Sequence, residues 1–142
     1  MKKIAVVIAL LLFATLSFAQ KIQEKDVPNA VKLAFQKQFP TAQKVKWEKE
    51  SGNFEAEFEM DKTETSVLLD LQGNILETET EIAVNQLPKA ILDYVATKHK
   101  GQKIKEAAKI TDAKGVLTYE AEIKGKDLIF DEKGNFLKEV KK

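Results

Sequence analysis

Carboxylates in strict alternation are the first residues in this chain whose spacing could support chemistry. Glu55, Glu57 and Glu59 recur at every second position, and Glu120 and Glu122 repeat the pattern later. Paired acids of this kind hydrolyse glycosides when a pocket holds one carboxyl protonated. At period two, however, they leave one face of a strand together, opposite Lys44 and Lys46 on the preceding one. That spacing predicts a solvated face of cross-strand ion pairs, each contributing ~0.2–1 kcal/mol. Nucleophilic catalysis lacks its parts, because His99 is the only histidine and cysteine is absent. A lone histidine is also a poor zinc site. Asp70 and Asp131 open two Asp-x-x-Gly-Asn segments, but these lack the alternating oxygen ligands of a calcium loop. No glycine-rich phosphate loop is present. The sequence therefore assigns no catalytic, cofactor-binding or metal-ligating residue, and the expected protein is not an enzyme.

The elements that must position these acids come in two similar sets. Asp70-Leu71-Gln72-Gly73-Asn74-Ile75-Leu76 returns as Asp131-Glu132-Lys133-Gly134-Asn135-Phe136-Leu137. An aspartate able to bond the turn backbone, followed by Gly-Asn and two apolar residues, is the chemistry of a tight strand-to-strand connection. Upstream of the first copy, Val27-Pro28 opens a helix with Asp26 placed to serve its free amides. Val27, Ala30, Val31, Ala34, Phe35 and Phe39 form one apolar helical stripe, ended by Phe39-Pro40. Leu87, Ala90, Ile91, Tyr94, Val95 and His99 repeat that stripe after Leu87-Pro88, so His99 takes the place of Phe39. Its imidazole is expected to pack at the helix end, where a positive charge would suit the dipole.

Between helix and turn, the period falls to two. Val45 and Trp47 point inward from the first strand, then Phe54, Ala56, Phe58 and Met60, then Val67, Leu69 and Leu71. A fourth strand runs to about Glu81, with the glutamates of Glu77-Thr78-Glu79-Thr80-Glu81 on a wet face. The second half follows with Ile104, with Tyr119-Glu120-Ala121-Glu122-Ile123, with Leu128 to Phe130, and with a last strand from Phe136 to Val140. Residues 82–86 contain neither glycine nor proline and read as a short joint.

The fold class is thus α+β: two tandem helix-plus-antiparallel-strand repeats, 27–82 and 87–140, forming one continuous sheet with two helices packed on one face. A unit of ~60 residues buries too little surface to stand comfortably alone, so the two are expected to share one core. Residues 1–19 read as a signal peptide, with a basic Met1-Lys2-Lys3 start, an apolar run from Ile4 to Phe13, and Ser17-Phe18-Ala19 before the expected cut. The apolar run is shorter than the ~20 residues a spanning helix needs, which argues against membrane insertion after cleavage. Residues 20–142 then form a single domain, with 20–26 as a loose leader. Without Lys2 and Lys3, 21 lysines face 22 acids, so charge does not suit nucleic acid. A periplasmic or secreted location follows, with the fold held by its core alone because no disulfide is possible.

Taken together, the leader, the Val-Pro and Leu-Pro helices, the Phe-Glu-Ala-Glu and Tyr-Glu-Ala-Glu strands and the paired Asp-x-x-Gly-Asn turns resemble the PepSY-like group. That group is also described as beta-lactamase-inhibitor-like, and the resemblance runs from Val27 to Val140. It implies a pair of helix-plus-sheet modules presenting one sheet face to a protein or peptide partner in the envelope, in an inhibitor-like manner. It assigns no functional residue.

The expected partner face is the outer side of the sheet, carrying Lys44, Lys46, Glu55, Glu57, Glu59, Lys103, Lys105, Glu120 and Glu122, with Leu68 and Ile129 as apolar spots. Complementary charge on such a face selects partners and speeds encounter. The alternative is a small-molecule carrier or sensor, holding an apolar ligand between helices and sheet near Phe35, Phe39, Trp47 and Tyr94. No cofactor is expected in either case.

Overall fold

The computed structural model describes residues 19–142; the expected signal peptide and its processing site lie almost wholly outside them. Period-two segments become nine strands: β1 Gln20–Ile22, β2 Gln43–Glu50, β3 Asn53–Met60, β4 Thr63–Leu69, β5 Ile75–Ile82, β6 Glu106–Asp112, β7 Leu117–Ile123, β8 Lys126–Asp131 and β9 Phe136–Lys141. They form one antiparallel sheet in chain order. The segment expected as a loose leader instead supplies β1, whose Ile22 stands opposite Trp47.

The two apolar stripes become helices α1, Asn29–Gln38, and α2, Lys89–Lys98. Each follows a short 3-10 turn, Glu24–Asp26 or Val84–Gln86. Pro28 and Pro88 occupy the caps, and no side chain bonds the first amides, so Asp26 does not serve α1 as expected. The joint between the halves is fixed by the Ala83 amide donating to Gln86 Oε1 at 2.9 Å. At the helix ends Phe39 and His99 adopt nearly the same backbone, φ −126° and −125°. Their amides donate to Phe35 O and Val95 O respectively. The repeat therefore holds at the level of single residues.

Directly opposed residues in an antiparallel pair share a face. Trp47, Ala56 and Val67 are so linked, as are Ala107, Ala121 and Leu128, and the β5–β6 pairing joins the two runs through Ile82 and Ala107. On this face Val31 and Phe35 of α1 join Trp47, Phe54, Ala56, Phe58, Val67 and Leu69 in one buried cluster. Ile91 and Val95 of α2 join Ala107, Ala121, Ile123, Leu128 and Phe130 in another. Two cores are present where a single shared one was expected. Thr65, Thr78, Thr80, Lys109 and Thr111 supply the same face between them, and these polar side chains break the apolar continuity. The halves are joined by the β5–β6 backbone ladder, from Glu77–Asp112 to Ile82–Ala107.

Two apolar residues depart from the alternation. Val45 is exposed because a bulge lies between Gln43 and Lys46, with Lys44 at φ 56°. The extra residue turns the strand and breaks its period. Leu71 is exposed because β4 ends at Leu69 and Leu71 falls in the following corner.

Candidate functional site

The opposite, helix-free face carries Glu55, Leu68 and Glu77 in one cross-strand row, and Glu57, Ser66, Glu79 and Ile110 in the next. Glu120 and Ile129 share a third row, and Glu122 and Asp127 a fourth. Its middle is buried although neither helix cluster includes it. Glu55 is 3% exposed, Glu79 5%, Glu120 6% and Asp127 0%, alongside Leu68 and Ile129. The expectation that these glutamates project into solvent fails here.

Curling of the sheet toward this side explains the burial. Lys138 on β9 acts electrostatically on Glu77 on β5, four strands away, which in a flat sheet would be ~19 Å at the usual strand spacing. Lys142, just beyond β9, likewise acts on Glu79. Twist accumulated across the strands brings β9 toward β5 on this side and hollows it into a trough. Leu68 and Ile129 lie on this side, as the alternation predicts, but as part of the trough floor.

Burial sets the electrostatics of the trough. It pushes the Glu55 carboxyl up to about 8, with Glu57, Glu48 and Glu50 repelling its charge and a Ser66 hydroxyl bond opposing them. Glu48 stands directly across from Glu55, where the sequence reading had placed a lysine. Glu79 rises to about 7 and Glu120 to about 9, burial first and mutual repulsion with neighbouring acids second. Burial also raises Asp127, against the pull of Lys142. Among the described residues, Glu55 Oε1, Glu79 Oε2 and Glu120 Oε2 have no hydrogen-bond partner. Such groups are costly inside a protein, which makes this face the candidate site.

The residues expected to form the face are only partly brought together. Lys46, Glu55, Glu57, Glu59, Glu120 and Glu122 share the helix-free side by register. Lys44 sits in the bulge and holds Glu59 Oε2 at 2.8 Å. Lys103 and Lys105 are exposed and precede β6, so they fall outside the strand. β6 starts pairing only at Glu106, opposite Glu122, whereas the equivalent β2 begins three positions earlier at Gln43.

Glu79, Asp127 and Lys142 were missed. Glu79 was read as solvated, which holds for an edge strand and fails for β5, the central strand of the nine. Asp127 shares its parity with Ile129 and could have been placed on this face from that alone. Lys142 shares its parity with Val140, the partner of Asp127, and its Nζ reaches Glu122 Oε2 at 2.6 Å and Asp127 Oδ1 at 3.1 Å.

On the other side, a cleft of about 290 Å³ lies beside α1 and β2, lined by Phe35, Phe39, Trp47, Val45 and Lys32 among others. Three of the four residues expected for a ligand pocket meet there. Tyr94 does not, and stacks instead on Phe136 at 5.0 Å. Among the described residues, no group of acids or histidine is gathered closely enough to hold a metal ion, and no helix is long and apolar enough to cross a membrane.

Three solved structures share the architecture over most of their length. A BLIP-like protein from Bacteroides fragilis is 26% identical, covering 80% of this chain and 86% of its own, with a TM-score of 0.66. A DUF2874 family protein from Bacteroides uniformis is 20% identical, covering 80% and 88%, with a TM-score of 0.72. A protein from Bacteroides eggerthii described as putative periplasmic is 17% identical, covering 81% and 88%, with a TM-score of 0.73. No curated protein matches the chain. The family model described as "Putative beta-lactamase-inhibitor-like, PepSY-like" matches twice, at residues 16–77 and 70–138. Those segments take in both helices, the paired Asp-x-x-Gly-Asn corners and nearly the whole sheet, and the chain belongs to this PepSY-like family.

Proposed function

We propose that this protein is a non-enzymatic binding module of the cell envelope that holds a protein or peptide segment against the helix-free face of its sheet. One observation carries the reading: Glu79 and Glu120 are buried there, each with an oxygen that has no hydrogen-bond partner among the described residues. Stability alone does not favour such groups, because apolar residues of similar size would fold the sheet as well or better. The inhibitor-like family description and the name of the Bacteroides fragilis relative fit a module whose task is contact. The basic start and apolar run of residues 1–13 support export.

Crosslinking in the native envelope tests this. Lysine-directed crosslinks to a discrete partner should map to Lys21, Lys46 and Lys138 around the trough. The pair Lys46→Glu with Glu57→Lys should lose the partner while keeping the wild-type circular dichroism spectrum. Crosslinks confined to α1 and α2, or capture unchanged in the folded variant, would overturn the assignment.

The cleft beside Phe35 and Trp47 supports a second reading, carriage of a small apolar molecule. Native mass spectrometry separates the two: a retained ligand, lost in Trp47→Ala, supports carriage, and a bare mass sinks it.

A further inference from the structure

Among the described residues, the trough is short of positive charge, and the cation that reaches its buried acids comes from beyond the last strand. Lys142 Nζ bridges Glu122 Oε2 and Asp127 Oδ1 at 2.6 and 3.1 Å. Its side chain is 24% exposed, while that of Asp127 beneath it is 0% exposed. The same ammonium acts on Glu79 and Glu120, further along the trough. One charge thus serves four acids, and three of them, Glu79, Glu120 and Asp127, keep a buried oxygen with no hydrogen-bond partner among the described residues.

Resting on the binding-face reading above, we propose that the trough is a receptor for the cationic side chains of a basic peptide segment, and that Lys142 occupies its mouth until the segment displaces it. The geometry selects this chemistry. Carboxylates that are not gathered into a metal-ligating group need a counter-charge with several separate donors. An ammonium or guanidinium has three or five N–H donors and can reach spaced acceptors, where an anion repels them and a neutral amide donates without supplying counter-charge. Lys142 already shows the mode of contact in cis. It is also the element able to leave, since it is one long side chain held by two ion pairs and its withdrawal uncovers Asp127.

The groups that face one another here are Glu77 and Glu79 on β5, Glu120 and Glu122 on β7, Asp127 on β8, Lys138 on β9 and Lys142 beyond it, with Glu57 on β3 also felt at Glu79. Because burial keeps several of these acids protonated near neutrality, an arriving ammonium favours their ionised form. Binding must therefore release protons, a signature that contact with an exposed acidic surface would lack.

Calorimetric titration of the purified full chain with a hexalysine peptide tests the proposal, with hexaglutamate as control. Binding of hexalysine alone is expected, with an enthalpy that depends on the buffer's ionisation heat. Lys142→Gln should bind hexalysine ~5-fold more tightly, and Glu79→Gln with Glu120→Gln ~10-fold more weakly, just below the lower end of coupling for close charge pairs. Glu132→Gln, in an exposed corner, should leave affinity unchanged. Affinity unaltered or lowered by Lys142→Gln, or no proton release, would overturn the inference. If crosslinks to a native partner still surround the trough in that case, the binding face stands and only the basic-segment chemistry is lost. If they do not, the face itself has failed.

Discussion

Gly73 sits against α1 so closely that a β-carbon there would lie 2.8 Å from the carbonyl oxygen of Ala30. Gly134 repeats the contact in the second half, with Ala90 Cβ at 2.9 Å. Both glycines have φ 85°, so two constraints meet at one position. The left-handed backbone turns the corner between strands, and the missing side chain lets that corner touch the helix. Gly73→Ala should therefore cost about 2–4 kcal/mol, combining ~1–2 for the backbone with a steric part. Gly134→Ala should cost less, because a methyl neighbour yields more readily than a backbone oxygen. Denaturant unfolding of the two variants checks both size and order.

The buried acids make stability depend on pH in a direction unusual for carboxylates. Glu55 rises from 4.5 to about 8 on folding, so between those values the native state holds a proton that the unfolded chain has lost. Its contribution is complete below about 4.5 and disappears as pH climbs through 8; Glu79 and Glu120 act the same way up to about 7 and 9. Asp70 and Asp131 run oppositely. Backbone and Asn side-chain bonds lower both, so they stabilise at neutral pH and stop doing so in acid. Stability should accordingly fall from pH 5 to pH 9. Glu55→Gln should flatten that slope and exceed wild type at pH 9 by at least about 1 kcal/mol, less than one pKa unit of linkage. An unfolding midpoint in guanidinium that is level across this range would contradict the burial of these groups.

The aromatic pairs of the second core separate packing from decoration. Phe130 is 0% exposed and meets Tyr94 edge-on at 5.3 Å, whereas Phe136 is 36% exposed and stacks on Tyr94 at 5.0 Å. Phe130→Ala should cost about 3–5 kcal/mol, as expected for a buried ring. Phe136→Ala should cost about 0.5–1.5 kcal/mol, the usual worth of an aromatic pair. Thermal unfolding of both proteins measures the gap between them.

The repeat was readable because local chemistry dictates it. Asp70 receives the Gln72 and Asn74 amides at 2.9 and 2.8 Å, and Asp131 receives the Lys133 and Asn135 amides at the same distances. Nothing beyond five residues is needed to specify either corner. A third corner of this kind has Asp112 receiving the Lys114 and Val116 amides at 2.8 and 2.9 Å, with valine where the other two have asparagine. The character of the trough was not readable in this way. Period two places Glu55, Glu57 and Glu120 on one face correctly, but whether that face is wet depends on the curl of nine strands. Curl accumulates from small twists spread along the whole sheet, and no single residue records it. Charge patterning thus found the acids and misjudged their surroundings.

The β3–β4 hairpin offers a test of local design that leaves the trough untouched. Met60 stands opposite Thr63, which leaves Asp61 and Lys62 as a two-residue loop, and both have positive φ, 52° and 64°. This is the turn whose twist matches the flanking strands, and its preferred sequence is Asp-Gly. A lysine in that position carries a β-carbon clash of roughly 1 kcal/mol that glycine would not. Among the described residues, no hydrogen bond or ion pair of the Lys62 side chain opposes the exchange, which leaves backbone preference to decide the sign against glycine's greater freedom when unfolded. Lys62→Gly should therefore stabilise by about 0.5–1 kcal/mol, read as a higher denaturation midpoint with unchanged slope. A lower midpoint would mean that this loop is not the left-handed pair described.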